Sequence, residues 1–134
     1  MGFLLAGLLA ATLVWVINGW YLSKLGTIGI VYLVPLVEEV SKTWLAVAMN
    51  APIFYTHAVF GTVEGIADIY SGRPLGISAG WVSYLGHMVF GYLAAWAYQR
   101  WNNVWLAILP AYLIHMIWNG FVMQVLVSPK GGKE

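Results

Sequence analysis

Five apolar stretches follow one another along a chain of 134 residues. They run over about 3–22, 28–49, 51–70, 77–98 and 104–127, and each approaches the ~20 residues that a helix rising 1.5 Å per residue needs to cross ~30 Å of hydrocarbon. The interruptions have physical causes. Ser23-Lys24-Leu25-Gly26, Asn50-Ala51-Pro52, Ser71-Gly72-Arg73-Pro74 and Arg100-Trp101-Asn102-Asn103 combine turn formers with charge or carboxamide groups. The spacing predicts an all-α fold, a polytopic transmembrane bundle of about five helices forming a single domain over residues 1–134.

Composition enters when one asks what covers such a bundle. Only 8% of the residues are charged, against roughly 25% in an ordinary soluble domain. Lipid is therefore the expected solvent and an expected partner. A net charge of +1 offers no basic field for nucleic acid, so none is expected. With no cysteine there is neither a disulfide framework nor a thiolate metal site. The first stretch is too long for a signal-peptide core of 7 to 15 residues and no Lys or Arg precedes it, so it is expected to be a retained span. Lys24, Arg73, Lys130 and Lys133 fall on one side of a five-span chain and Arg100 on the other. The positive-inside rule then predicts an external N-terminus and a cytoplasmic C-terminus. Trp20, Trp44, Trp81, Trp101 and Trp105 fall near span ends, where aromatic belts sit.

Against this background the charged residues inside the spans are the most informative. The second contains Glu38, Glu39 and Lys42, the third Glu64, the fourth His87, and the fifth His115 with Asn119. A charge at the bilayer centre costs at least ~2.5 to 3.5 kcal/mol, so such residues face the bundle interior and mark function. Counting the rise along each helix puts Glu38 and His115 about 17 Å deep and His87 about 15 Å deep, close to the half-thickness of the hydrocarbon. Glu64 lies about 20 Å from the outer face, within reach of the same slab. The first helix contributes none of these groups and is expected to pack as support.

Local spacing adds detail. Glu38 and Lys42 form an i, i+4 pair, and Glu39 is i, i+3 from the same lysine. Two adjacent carboxylates in a low dielectric cannot both ionise cheaply, and one lysine can neutralise one of them. His57, Gly61, Glu64 and Asp68 share a helix face, and Gly61 with Gly65 lets a neighbouring helix approach closely. His115 and Asn119, again i, i+4, can jointly donate hydrogen bonds to a developing oxyanion. Each feature also has a plainer reading. The Glu-Glu-Lys set can be a structural ion pair, Glu64 and Asn119 can bond between helices, and a lone histidine can be a satisfied donor. His57, close to Pro52 and the outer interface, is expected to play an interfacial part. Asp68 and Arg73 are expected to pair or snorkel near the inner one.

Glu38-Glu39-x-x-Lys42, Phe60-x-x-x-Glu64, His87 and His115-x-x-x-Asn119 resemble the ordered motifs of the PrsW family of intramembrane proteases. That family belongs with the CAAX protease and bacteriocin-processing membrane proteins, which include the type II CAAX prenyl endopeptidases. The latter show a double Glu followed by Arg, and a histidine after Phe-x-x-x. Lys42 and Glu64 stand at those positions here, which points to the PrsW branch. The resemblance covers residues from about 35 to 120. It implies an endopeptidase of glutamate or metallo type in a prokaryotic plasma membrane, acting on a transmembrane or membrane-anchored peptide. On that resemblance Glu38 is the general base, Glu39 and Lys42 orient it, His115 and Asn119 stabilise the oxyanion, and Glu64 and His87 polarise the water. Glu64, His87 and His115 would be the ligands if a zinc ion were present, although the His-Glu-x-x-His spacing of zincins is absent.

Two other functions fit the residues. Chains of intramembrane Glu and His also make proton relays or proton-coupled transporters, but no inverted repeat of the transporter kind is visible. A catalytically silent membrane scaffold of the same fold is the other. The scaffold subunit of gamma-secretase is similar to this superfamily, but a scaffold needs no paired base and oxyanion donors.

Overall fold

The structure, a computed structural model, describes residues 1–20, 22–71 and 75–127. Five helices carry the described chain, and among the described residues there is no strand. They are α1 (Gly2–Trp20), α2 (Val34–Ala48), α3 (Ile53–Tyr70), α4 (Gly76–Trp101) and α5 (Val104–Val127). Two segments, Gly2–Trp20 and Val104–Gln124, are long and apolar enough to cross a membrane. Arg73, Lys130 and Lys133, three of the four positive charges behind the expected orientation, lie outside the described residues, as does most of the break at 71–74.

The helix boundaries follow from local chemistry. Between α2 and α3, Asn50 adopts a left-handed φ of 48° and Pro52 an extended backbone with ψ 120°. The chain therefore reverses within four residues. Between α4 and α5, Asn102 is again left-handed, φ 45°, an αL stop that asparagine tolerates. Asn103 then caps the next helix, its Oδ1 accepting the backbone N–H groups of Trp105 at 2.9 Å and Leu106 at 3.2 Å, the usual work of an asparagine at this position.

The lead into α2 is less regular. A π-helical segment, Gly29–Leu33, precedes it, with the Val34 N–H bonded to the Gly29 carbonyl. In that wider winding the Ile30 carbonyl would look to residue 35, which is a proline without an N–H. The Asn119 carboxamide on α5 supplies the missing donor, bonding the Ile30 oxygen at 3.0 Å.

Helices α2, α3, α4 and α5 pack in sequence around a ring that closes between α5 and α2, so that α2 faces α4 across the centre. Helix α1 lies outside the ring against α2 and α3. Small residues set its approach: Ala6, Gly7 and Ala10 are buried, and a Cβ on Gly7 would come within 2.6 Å of Val59 Cβ. The polarity is inverted relative to a water-soluble protein. Glu38, Glu39, Lys42, His57 and His87 are among the most completely buried side chains, while Trp15, Trp81, Trp105 and Ile117 are exposed.

Candidate functional site

Helix α2 brings Glu38, Glu39 and Lys42 to the ring's axis on successive turns, all of them buried. The Lys42 ammonium sits 2.6 Å from Glu39 Oε1 and 3.5 Å from Glu38 Oε2. It reaches across to α4, donating to His87 Nδ1 at 3.0 Å, and lies 4.4 Å from the centre of the Phe60 ring. His87 Nε2 in turn bonds Glu64 of α3, whose carboxylate also accepts from the Ser83 hydroxyl at 3.0 Å. From α5, His115 Nδ1 bonds Glu39 Oε1 at 2.8 Å, and its ring stacks on Phe90 with centroids 4.4 Å apart. The four helices of the ring thus each contribute a charged or imidazole group to one cluster.

Glycines make room for the histidines in a reciprocal way. A Cβ on Gly61 of α3 would lie 2.7 Å from His87 Cβ of α4, and a Cβ on Gly91 of α4 would lie 2.6 Å from His57 Cβ of α3. Each helix therefore carries a His-x-x-x-Gly step, and because the pair is antiparallel each histidine fits over the other's glycine. One turn further, Gly65 and Gly80 bring the two backbones together, a Cβ on Gly65 meeting the Gly80 carbonyl at 2.7 Å.

This packing corrects the expectation for His57. Its side chain is fully buried and belongs to the cluster rather than to an interface. His57 Nε2 lies 3.3 Å from the Thr43 hydroxyl, and Nδ1 faces Glu39 Oε2 at 3.6 Å, both atoms lacking a hydrogen-bond partner among the described residues. The repeated His-x-x-x-Gly spacing was the sequence signal for it. Ser83 and Thr43 were missed, because single hydroxyls in apolar helices give no pattern.

The hydrogen bonds assign the imidazole protons. Lys42 has only hydrogens to give, so His87 Nδ1 accepts, and its Nε2–H donates to Glu64. Glu39 has only lone pairs, so His115 Nδ1 donates and its Nε2 keeps a free lone pair. That lone pair faces Glu38 Oε2 at 3.9 Å, and His87 Nε2 lies 4.0 Å from the same oxygen. Two acceptors at 3.9 Å are too far apart for a direct contact and suit one bridging water with ordinary hydrogen bonds of ~2.8 Å.

Glu38 Oε2 and the imidazoles border a cavity of about 250 Å³ whose walls also include Glu64, Ser83 and Asn119. Glu39 and Lys42 are not on its walls. Of the seven site residues expected from sequence, Glu38, Glu64, His87, His115 and Asn119 therefore share a cavity, while Glu39 and Lys42 stand behind it. One Asn119 amide hydrogen is committed to Ile30, and a carboxamide has a second.

Atoms of Glu38, Glu39, His87 and His115 lie within 4.8 Å of one another, close enough to hold a metal ion. Glu64 is outside that quartet. The hydrogen bonding does not fit the zinc triad of Glu64, His87 and His115, because a ligand nitrogen needs a lone pair. With Lys42 on Nδ1 and a proton on Nε2, His87 has none to offer. No family model, curated protein or solved structure matches the chain.

Proposed function

We propose that this chain is a five-pass membrane endopeptidase, with its N-terminus outside and its C-terminus cytoplasmic, that hydrolyses a peptide bond through a glutamate-activated water. The observation that carries the reading is the difference between two adjacent carboxylates. Glu38 Oε2, which Lys42 approaches only at 3.5 Å, lies 3.9 Å from the free His115 Nε2 on the cavity wall, whereas Glu39 Oε1 holds both Lys42 at 2.6 Å and His115 at 2.8 Å.

A water bridging Glu38 and His115 gives a hydrogen to each and keeps its own lone pairs for attack. As the C–O bond forms, Glu38 takes the water's proton, acting as a general base within hydrogen-bond reach. Asn119 lines the cavity, and its second amide hydrogen is the donor we assign to the oxyanion. Glu38 then returns the proton to the departing amine as the C–N bond breaks. Glu39 fixes the His115 tautomer that leaves Nε2 free, and Lys42 fixes that of His87. The resemblance of the Glu-Glu-x-x-Lys, Phe-x-x-x-Glu and His-x-x-x-Asn motifs to the PrsW family supports the same reading, and the membrane-facing apolar exterior fits it.

The test is purified protein mixed with a library of transmembrane peptides. Cleavage that is lost in Glu38→Gln supports the mechanism, and cleavage unchanged by that substitution sinks it. Elemental analysis without stoichiometric zinc, and activity that survives a chelator, are the results expected of a metal-free site.

One observation favours a second reading. Glu64, His87, Lys42, Glu39 and His115 form an unbroken hydrogen-bond chain, the kind of arrangement used in proton relays. Proton flux into liposomes that is abolished by His87→Gln, in protein without peptidase activity, would replace the first reading with this one.

A further inference from the structure

Outside the ring, α1 and α3 leave an open groove of about 520 Å³ whose walls include Ala11, Asn18, Phe60, Glu64 and Ala67. Glu64 borders both this groove and the cavity that holds Glu38. Its side chain is 38% exposed, the most accessible of the cluster's three carboxylates. Phe60, on the same wall, touches the cluster from the other side, 5.0 Å from the His87 ring. Glu64 is thus a wall common to the groove and the cavity, and Phe60 links the groove to the cluster.

A second observation concerns Asn18. Its Oδ1 is buried and has no hydrogen-bond partner among the described residues. In an apolar surrounding an amide oxygen left bare is costly, and a lipid chain has no hydrogen to give it. A peptide N–H does. Hydrocarbon also forbids an unwound peptide unless protein supplies its backbone bonds, and a protease must unwind a helix to reach its carbonyl. From Ala11 to Asn18, α1 rises about 10 Å, the length of about three residues of extended chain.

We infer that the α1–α3 groove is the substrate-binding subsite of this peptidase. It takes an extended segment of a transmembrane peptide, small and apolar in its side chains, whose backbone N–H bonds Asn18 Oδ1 once that carboxamide turns toward the groove, and whose scissile carbonyl passes Glu64 into the cavity. Helix α1 is then a wall of the substrate path rather than support alone. The inference rests on the peptidase reading, but binding can be read without cleavage.

Because the chain has no cysteine, single thiols report position cleanly. Ala11→Cys, Ala67→Cys and, on the outer face of α4, Val89→Cys are each made in the Glu38→Gln background. Each is then mixed in detergent with a 20-residue polyleucine-alanine transmembrane peptide carrying one central cysteine, under mild oxidation. Disulfide formation at Ala11 and Ala67 at least tenfold above Val89, competed by cysteine-free peptide, is the expected result. Equal cross-linking at all three positions, or cross-linking at Ala11 that excess phosphatidylglycerol removes and cysteine-free peptide does not, would overturn it. In the active protein, Asn18→Leu should raise KM about threefold to tenfold, the worth of one hydrogen bond, with kcat unchanged. Cleavage with cross-linking absent from the groove defeats the subsite alone. Cross-linking in the groove with no cleavage of any peptide defeats the peptidase reading instead.

Discussion

Glu38 and Glu39 are neighbours in sequence and equally buried, yet they belong to different walls of the same site. The cavity wall holds Glu38, Glu64, the Nε2 edge of His115 and Asn119, and Glu38 and His115 stand about a water's width apart. The packed wall holds Glu39, Lys42, His57 and Thr43, closed by contacts of 2.6 to 3.6 Å. Adjacent residues on a helix point about 100° apart, since a turn takes 3.6 residues. That angle separates a carboxylate that Lys42 meets only at 3.5 Å from one whose Oε1 holds both Lys42 and His115 in place. On the proposed peptidase reading the pair is a division of labour, in which the packed wall fixes imidazole tautomers and the cavity wall does the proton transfer.

The sharpest break of that comparison is substitution of the two glutamates one at a time. Glu38→Gln should lower kcat by about a hundredfold to ten-thousandfold, the usual contribution of a general base, with the thermal unfolding midpoint in detergent little changed. Glu39→Gln should lower the midpoint as well as kcat. Equal losses of both quantities in the two variants would erase the distinction between the walls. Lys42→Met comes next. It leaves two buried carboxylates without their cation, and removing one partner of such a pair costs about 3 to 5 kcal/mol. Chemical denaturation should report that loss, and a variant as stable as the parent would show that the packed wall is not held by charge.

Much of this arrangement was legible in the sequence. The five helices fall on the five apolar stretches, because segment length and the turn formers between them are local properties. Depth counting brought Glu38, His87 and His115 to one level for the same reason, since a helix's rise is fixed. The division between Glu38 and Glu39 was not legible. It depends on the rotation of α2 within the ring, which contacts on other helices decide. His57 was misjudged because it lies one turn from Pro52, and depth along one helix says nothing of how neighbouring helices close over that turn. The part played by Asn119 at Ile30 was equally hidden, since it requires a π-helical segment ahead of Pro35 that no propensity announces.

The glycine seam offers a smaller effect that acts on the two walls separately. Gly61→Ala and Gly91→Ala should each cost about 1 to 3 kcal/mol, as overpacking does, because the new methyl meets a histidine Cβ that cannot swing aside. Gly61→Ala displaces His87, which holds Glu64 at the cavity, so its kcat should fall too. Gly91→Ala displaces His57 on the packed wall, and its loss should appear mainly in the unfolding midpoint. Similar kcat losses in both would mean that strain passes freely between the walls.

Thr43→Val is the mildest probe and the most discriminating. It removes one hydroxyl, 3.3 Å from His57 Nε2, and keeps the shape of the side chain. The loss of one hydrogen bond should cost about 0.5 to 1.5 kcal/mol of stability. His57 then has no fixed partner on Nε2, so its ring is free to exchange tautomers opposite Glu39 Oε2. If Glu39 only anchors, kcat stays within about twofold, because the bond from His115 Nδ1 to Glu39 Oε1 is untouched and RT ln 2 is only about 0.4 kcal/mol. If instead Glu39 passes its environment on to His115, the ring that faces Glu38 reorients and kcat drops well beyond the stability change. A steady-state comparison of Thr43→Val with the parent therefore measures how tightly the packed wall controls the cavity wall, at a position that touches neither water nor substrate.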